Sequence, residues 1–560
     1  MKICSYCIYQ KEKSSIYCKN CKYKSSAGEL LNTDFITPPS VIGLPRENST
    51  CRTNYPFLDN NWTSKWKRIA SDSSAVRHGI IITNTEKCPE ELKGEYKKIL
   101  DDFIAYKLTK KTIYCVLDMA NQSVLGRSAS VAGNNVTFIV DVLKKIYEVA
   151  PIEYLLIIGD RNSIDSIKWN NGLYSEDGNG DRDRYVDSDI PYVFLDTKSL
   201  FDGKPTDKSI CVGRVPSSAE TGFPEAKAYF ANTMKYLDES KKINACSLSA
   251  EEWKNVSLMN FAGAKPKIYS CPPYSFVEGV GLSCIPRNTP YNLLCFNLHG
   301  APIQNIWASG DGSIAMTPSS LPSDPNTAYV IGTEACYGTK PVIKNGKEQS
   351  ILMTALQNRC VGFLGSTQIA YGIPDIALAY NQLPSCADVL VGHFAECVAH
   401  GYPLGDAYLA AWKKLSGAGS RLEEIKTLCS FALYGDPTVQ ITGDNGKTLP
   451  ISSKTERIIK PSISISLKMA ETNISIASAK SVESFVNTYF SSFCHAKPKY
   501  YKLSNEQDNY IMSSSNSKIT TVKAGEEYKA TYVDTRSKVT RILHVYFNSK
   551  GNVTGTFVSK

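Results

Sequence analysis

Between residues 77 and 216, short and wholly apolar runs alternate with longer stretches whose apolar positions recur every three or four residues. "HGIIITN" (78–84), "TIYCVLDM" (112–119) and "EYLLIIGD" (153–160) are of the first kind; Glu90–Tyr106 and Asn135–Val149 are of the second. Apolar runs of this length with polar flanks predict strands buried on both faces. Strands alternating with amphipathic helices predict a parallel sheet covered on both sides. The pattern returns between 255 and 441, where "VSLMNFAG" (256–263), "NLLCFNLHG" (292–300), "TAYVIGTEACYG" (327–338) and "CVGFLGST" (360–367) read as strands, with Ser350–Gln357 and Ala387–His400 as helices between them. Beyond about Gly446 the composition shifts to Ser, Lys, Thr and Tyr. There a helix over Ala479–Phe490 precedes alternating strands with a hairpin turn at Lys550-Gly551, which predicts a small α+β or β domain.

The opening residues follow neither pattern. Cys4, Cys7, Cys18 and Cys21 form a C-x2-C-x10-C-x2-C arrangement, two pairs that can clamp a tetrahedral Zn as thiolates in a segment with no core of its own. Residues 25–76, with Pro38, Pro39, Pro45 and polar runs, read as a linker. The expected organisation is therefore a zinc ribbon (1–24), a linker (25–76), a first α/β subdomain (77–250), a second one (251–445) and the domain 446–560.

Composition narrows the setting. No apolar run approaches the roughly 18 residues that cross a bilayer, and the first twenty residues lack a secretory signal, so a chain without a membrane span and with a cytoplasmic location is expected. The 18 cysteines lie mostly in apolar strands (Cys115, Cys211, Cys295, Cys360), where free thiols behave as small hydrophobes in a reducing compartment. The net charge of +9 belongs to the ends: residues 1–30 hold six lysines against two glutamates, and 451–560 hold sixteen Lys/Arg against eight Asp/Glu. A regulatory protein or nucleic acid is to be sought there, unless these are simply solvated lysine-rich faces.

Two segments share one design. An apolar strand delivers His299-Gly300, and another delivers Cys336 within Glu334-Ala335-Cys336. If those strands are neighbours, imidazole and thiol meet above the sheet, and an imidazole beside a thiol favours the nucleophilic thiolate and can return the proton to a leaving amine. The N–H groups of Gly300 and Cys336 are the expected oxyanion-hole donors. The run Asp177-Gly-Asn179-Gly-Asp181-Arg-Asp183 offers oxygens at alternate positions, as calcium loops do, but lacks the glycine at the sixth position and the closing glutamate, so Ca is the weaker reading beside a solvated acidic loop. His393 and His400 read as structural or exposed.

An apolar block ending in His-Gly, followed by one ending in Glu/Gln-Ala-Cys, resembles the caspase-like clan of cysteine peptidases. "EYLLIIGD", "DSDIPYVFLD" (187–196), "ICVGRVP" (210–216), His299-Gly300 with Trp307 downstream, "GTEACYG", "GFLGSTQ" (362–368) and "FALYGDPTVQI" (431–441) resemble, in order, the blocks of its gingipain branch over about 77–445. The resemblance implies two adjacent caspase-like α/β sheets and hydrolysis of a protein or peptide substrate by a Cys336–His299 dyad. It implies that Asp189 lies at the floor of a specificity pocket for Arg, or less well Lys, and that Trp307 and Tyr371 lie near the substrate. The acid that orients His299 stays open among Asp160, Asp311 and Glu334. The expected function is an intracellular cysteine endopeptidase cleaving after basic residues, regulated by its terminal domains or a partner, with prokaryotic defence or cell death as its setting. Self-cleavage at Arg46 or Arg52 fits that specificity. The alternative is a non-catalytic caspase-fold scaffold that binds protein or nucleic acid through its zinc ribbon.

Overall fold

The computed structural model of the chain describes residues 61–560 except 122–135, 179, 197–208, 239–241, 278–280, 284–290, 303–304, 322–326, 341–342, 345–347, 417–420, 443–466, 506–526 and 537–539, together with 2–3, 10–11 and 58. The four cysteines of the expected zinc ribbon, the acidic-loop residue Asn179, and Arg46 and Arg52 lie outside the described residues.

The apolar runs form a single ten-stranded sheet. Its strands are β1 (Arg77–Thr83), β2 (Thr112–Asp118), β3 (Tyr154–Ile158), β4 (Cys211–Val215), β5 (Ala245–Ala250), β6 (Lys267–Cys271), β7 (Leu293–Asn297), β8 (Tyr329–Thr333), β9 (Cys360–Ser366) and, after the short β10 (Tyr371–Gly372), β11 (Phe431–Gly435). They lie in the order β6-β5-β7-β8-β9-β11-β4-β3-β1-β2. Every neighbouring pair is parallel except β9 and β11, so two five-stranded halves run in opposite directions and meet at that seam. The fold is thus mixed α/β with one continuous, mostly parallel sheet instead of the expected two adjacent ones.

Alternation along each strand sends successive side chains to opposite faces. Ile80, Ile82, Leu155, Ile157, Leu293, Cys295 and Val330 join one apolar core. Ile81, Leu156, Ile158, Leu294, Phe296, Tyr329 and Ile331 join the other. Helices Trp62–Ala70, Val136–Val149, Ala387–Ala399, Leu404–Ser416 and Leu422–Ser430 cover the first face; Glu90–Thr109, Pro224–Tyr236 and Ile351–Asn358 cover the second. No helix among the described residues is long and apolar enough to cross a membrane.

One expected strand is a helix. "VSLMNFAG" begins inside the helix Lys254–Asn260, with Val256 and Ser257 buried but Leu258 and Met259 about half exposed. The strand in its place is Ala245–Ala250, whose serines hide its apolar character. A four-residue apolar run fits either period, and only the partner surface decides.

The last part of the chain forms a six-stranded antiparallel sheet, β10-β16-β15-β14-β13-β12, made of β12 (Leu467–Glu471), β13 (Lys499–Asn505), β14 (Glu527–Asp534), β15 (Arg541–Asn548) and β16 (Val553–Ser559), with the helix Ile476–Tyr489 packed on it. Its sixth strand, β10, is lent by the α/β body. Glu423 of the body, fully buried, bonds to His544 Nδ1 (2.5 Å) and accepts from Tyr546 Oη (2.7 Å). Burial, reinforced by Lys529, pushes His544 down to about 4; burial alone would raise Glu423, but His544 outweighs it and Glu423 falls to about 2. Between pH 6.5 and about 4 the unfolded chain therefore binds the His544 proton that the folded chain refuses, and stability falls as the pH drops through that window; Glu423 extends the loss below 4.5. The loss is expected to reach about 3 kcal/mol. Melting curves between pH 7 and 4 should show a steeper fall for the wild type than for His544→Gln, and parallel curves would contradict the assignment.

Candidate active site

The strands β7 and β8 are parallel neighbours in register, Phe296 opposite Thr333, and the Glu334 N–H continues the ladder to the Phe296 carbonyl (2.8 Å). Both end at the same edge of the sheet, which is why the residues just beyond them meet. His299–Gly300 turns into a small antiparallel ribbon with Trp307–Ala308 and Ile314–Met316. Gly300 lies so close to the Cys336 backbone that a Cβ there would collide with the Cys336 carbonyl oxygen. Glycine at this position is a packing requirement.

His299 is buried, its ring tilted against the Trp253 indole at 4.5 Å between centroids and its Nε2 3.2 Å from Glu252 Oε1. Burial lowers the imidazole pKa, only partly offset by Glu252. Burial raises the Glu252 carboxyl, but its bond to His299 outweighs this and the net shift is down. Both shifts fit a carboxylate that accepts the Nε2–H of a neutral imidazole, the tautomer in which Nδ1 is left as a proton acceptor. Glu252 lies in the one-turn segment Glu251–Trp253 that follows β5, the strand beside β7.

The Cys336 thiol bonds to Ala370. Its Sγ accepts from the Ala370 N–H (3.3 Å) and donates to the Ala370 carbonyl (3.5 Å), and no hydrogen bond joins it to His299. Burial pushes its pKa up to about 12, so in this state it is a thiol.

The cleft beside this thiol is filled by the chain itself. β16 pairs antiparallel with β10, Ser559 opposite Tyr371 and Val558 opposite Gly372. The Lys560 N–H donates to the Ala370 carbonyl (3.0 Å), and the Lys560 carbonyl accepts from the Cys336 N–H (3.0 Å). Of the two expected oxyanion donors, Cys336 makes this bond and Gly300 does not. The Lys560 side chain is buried. Its ammonium bonds to Asn297 Oδ1 (2.9 Å), to Glu334 and to Asp388, and lies 4.9 Å from the Trp253 ring centroid. Burial pulls that ammonium down, but Asp388 and Glu334 outweigh it and the net shift is up. Burial and then the adjacent Asp388 push Glu334 well above the usual carboxyl range, against the pull of Lys560. A Cβ on Gly372 would strike the Lys560 Cε, so the absent side chain there makes room for the lysine stem.

No protein-family model matches this sequence, and no curated protein matches it. One solved structure, described as "Structure of Protease", aligns with 85% of this chain and 98% of its own at 11% identity and a TM-score of 0.43. At that degree of likeness the neighbour's activity is a fact about the neighbour.

The other residues singled out in the sequence lie elsewhere. Both Asp189 carboxylate oxygens accept from Arg214 of β4 (2.8 and 2.7 Å), and Asp189 is not among the groups that hold the Lys560 ammonium. Trp307 is core, 5.1 Å from the Phe296 ring. The Tyr371 ring stacks on His544 and its hydroxyl donates to Asp181 (2.9 Å), so it is the Tyr371 backbone that borders the cleft. Asp160 caps its own turn beyond β3, in the half of the sheet that points the other way, and Asp311 caps Ser313. None of the three acids considered for His299 is its partner, which is Glu252; Glu334 binds Lys560 instead. Asp181 and Asp183 both bond to Lys426 (2.5 and 2.9 Å), and Asp183 also accepts from Tyr337. No group of three or more His, Cys, Asp or Glu that could hold a metal occurs among the described residues. His393 bonds to Glu396 and His400 to the Glu396 carbonyl, both within their own helix.

Sequence reasoning missed Glu252, Asn297, Asp388 and Gly372. Asn297 had a usable signal, standing at the end of β7, the apolar strand that leads to His299; Glu252 had none, because β5 before it does not read as a strand.

Proposed function

We propose that the chain is a cysteine endopeptidase of caspase-like or gingipain-like architecture that cleaves after basic residues, lysine foremost. One observation carries this: a lysine lies in extended register along β10 with its carbonyl on the Cys336 N–H and its ammonium among Glu334, Asp388 and Asn297. A substrate strand bound this way adds to the sheet edge through its backbone and is chosen by the one side chain that enters the pocket. Rotation of the thiol from Ala370 toward His299 lets Nδ1 take its proton. The sulfur attacks the carbonyl carbon, the oxygen's charge gathers on the Cys336 N–H, and the imidazolium returns the proton to the departing amine; water then hydrolyses the thioester. Glu252 fixes the tautomer. The pocket assigned to Asp189 in the sequence is reassigned to Glu334 and Asp388, because Arg214 already saturates Asp189.

A scaffold without catalysis is the second reading, favoured by the thiol's bonds to Ala370 and its raised pKa. The deciding assay incubates wild type and Lys560→Gln, reduced, with fluorogenic peptides ending in Lys, Arg or Asp. Hydrolysis of the Lys peptide first, the Arg peptide second and the Asp peptide not at all is expected. Silence of both proteins on all three would leave the scaffold.

A further inference from the structure

We propose that Val553–Lys560 is an internal substrate mimic that holds the cleft closed, with Lys560 as its anchor. The inference rests on the cleft assigned above and adds its regulation.

A strand that merely completed a sheet would have no need of a buried lysine at this point. Placing an ammonium in a site closed to water is costly, and an ion pair recovers this only where the partners are well placed. An apolar side chain would pack there at less cost. Yet Lys560, Glu334 and Asp388 are all fully buried, and Gly372 lacks the side chain that would block the stem. The backbone is held at the same point: Ala370 brackets the nucleophile and the mimic together, its N–H on the Cys336 sulfur and its carbonyl on the Lys560 N–H. The segment cannot share the cleft with a substrate, since β16 occupies the edge of β10 along which a substrate strand would pair. It is further tied down by Gln382, which bonds the Thr556 backbone and hydroxyl (2.9 Å each), and by Ser559 Oγ, which accepts from the Ile542 N–H (2.9 Å). A tethered ligand acts at an effective concentration in the millimolar range, so a free substrate gains the cleft only when the segment lets go.

The test reads access to the thiol and needs no catalysis. Full-length wild type, Lys560→Arg and Lys560→Gln are treated with iodoacetamide, and labelling at Cys336 is followed by mass spectrometry. Lys560→Gln should label about 100-fold faster than wild type, with Lys560→Arg between them. The peptide VTGTFVSK added in trans should protect Lys560→Gln again, and VTGTFVSE should not. Equal labelling of wild type and Lys560→Gln, or protection by both peptides alike, overturns the proposal. Should Lys560→Gln fail to fold, hydrogen exchange on the unaltered protein decides: millimolar VTGTFVSK should speed exchange at 553–560 while VTGTFVSE leaves it unchanged, and no difference between the two overturns it. Faster labelling with no hydrolysis would remove the peptidase reading alone. Hydrolysis by the wild type that Lys560→Gln does not raise would remove only the self-closure.

Discussion

Replacing Cys336 with alanine is expected to lower kcat/KM on a lysine-ended peptide by at least about 10⁴-fold in a protein already freed by Lys560→Gln, because the proposed acyl intermediate forms on this sulfur. His299→Ala should cost nearly as much, and the double replacement little more than either alone, since the two side chains act on one proton. Glu252→Gln keeps the ring in place but removes the charge that supports the imidazolium. It should lower kcat by roughly 10–100-fold with KM nearly unchanged, and shift the acidic limb of the pH profile. Steady-state kinetics from pH 5 to 9 give all of these numbers. A Cys336→Ala protein that retains activity would remove the mechanism, and a Glu252→Gln protein with an unshifted profile would remove the role given to that carboxylate.

The second large effect is on stability. Lys107, near the end of the helix Glu90–Thr109, is buried and forms an ion pair with Asp436 (2.9 Å), which follows β11. Asp436 also accepts from Tyr114 Oη (2.6 Å) and from the Thr438 N–H and hydroxyl, while its own N–H donates to Tyr229 Oη (2.6 Å). Burial would raise this carboxyl, but Lys107 and the hydrogen bonds outweigh it and hold it below its usual value. Lys107→Met keeps the stem and removes the charge, leaving a carboxylate in the core with no cation. The expected loss is about 3–5 kcal/mol, read as a drop in the urea midpoint. Asp436→Asn added to Lys107→Met should recover part of it, because the stranded charge is what costs most. A single replacement within 1 kcal/mol of wild type would show that the carboxylate finds water or a proton instead.

The apolar runs of β1, β3, β7 and β8 were legible because a strand buried on both faces leaves no room for polar residues. β5 was not, since "ACSLSA" hides its serines through neighbours that only the fold supplies: Ser249 Oγ meets Ser257 Oγ at 2.9 Å. The reversal at the seam was equally out of reach, because an apolar strand carries no mark of its direction. In the site, His299 and Cys336 stood out as reactive side chains at strand ends. Asp388 did not, being an acid at the start of a helix and indistinguishable by itself from one that favours the helix dipole. Asp189 is the converse case: the acid beside a specificity-like block is held by Arg214 at 2.8 and 2.7 Å, a pairing with no sign in the sequence.

The loan of β10 to the last sheet has a mechanical meaning. The described residues from 467 onward are less a separate body than a flap sewn to the α/β core at several points, the Tyr371–Gly372 seam and the Glu423–His544 clasp among them. If the last strand closes the cleft as proposed, a pull that frees the flap opens it in the same motion, so force or any ligand that grips the flap is converted into access to the sulfur.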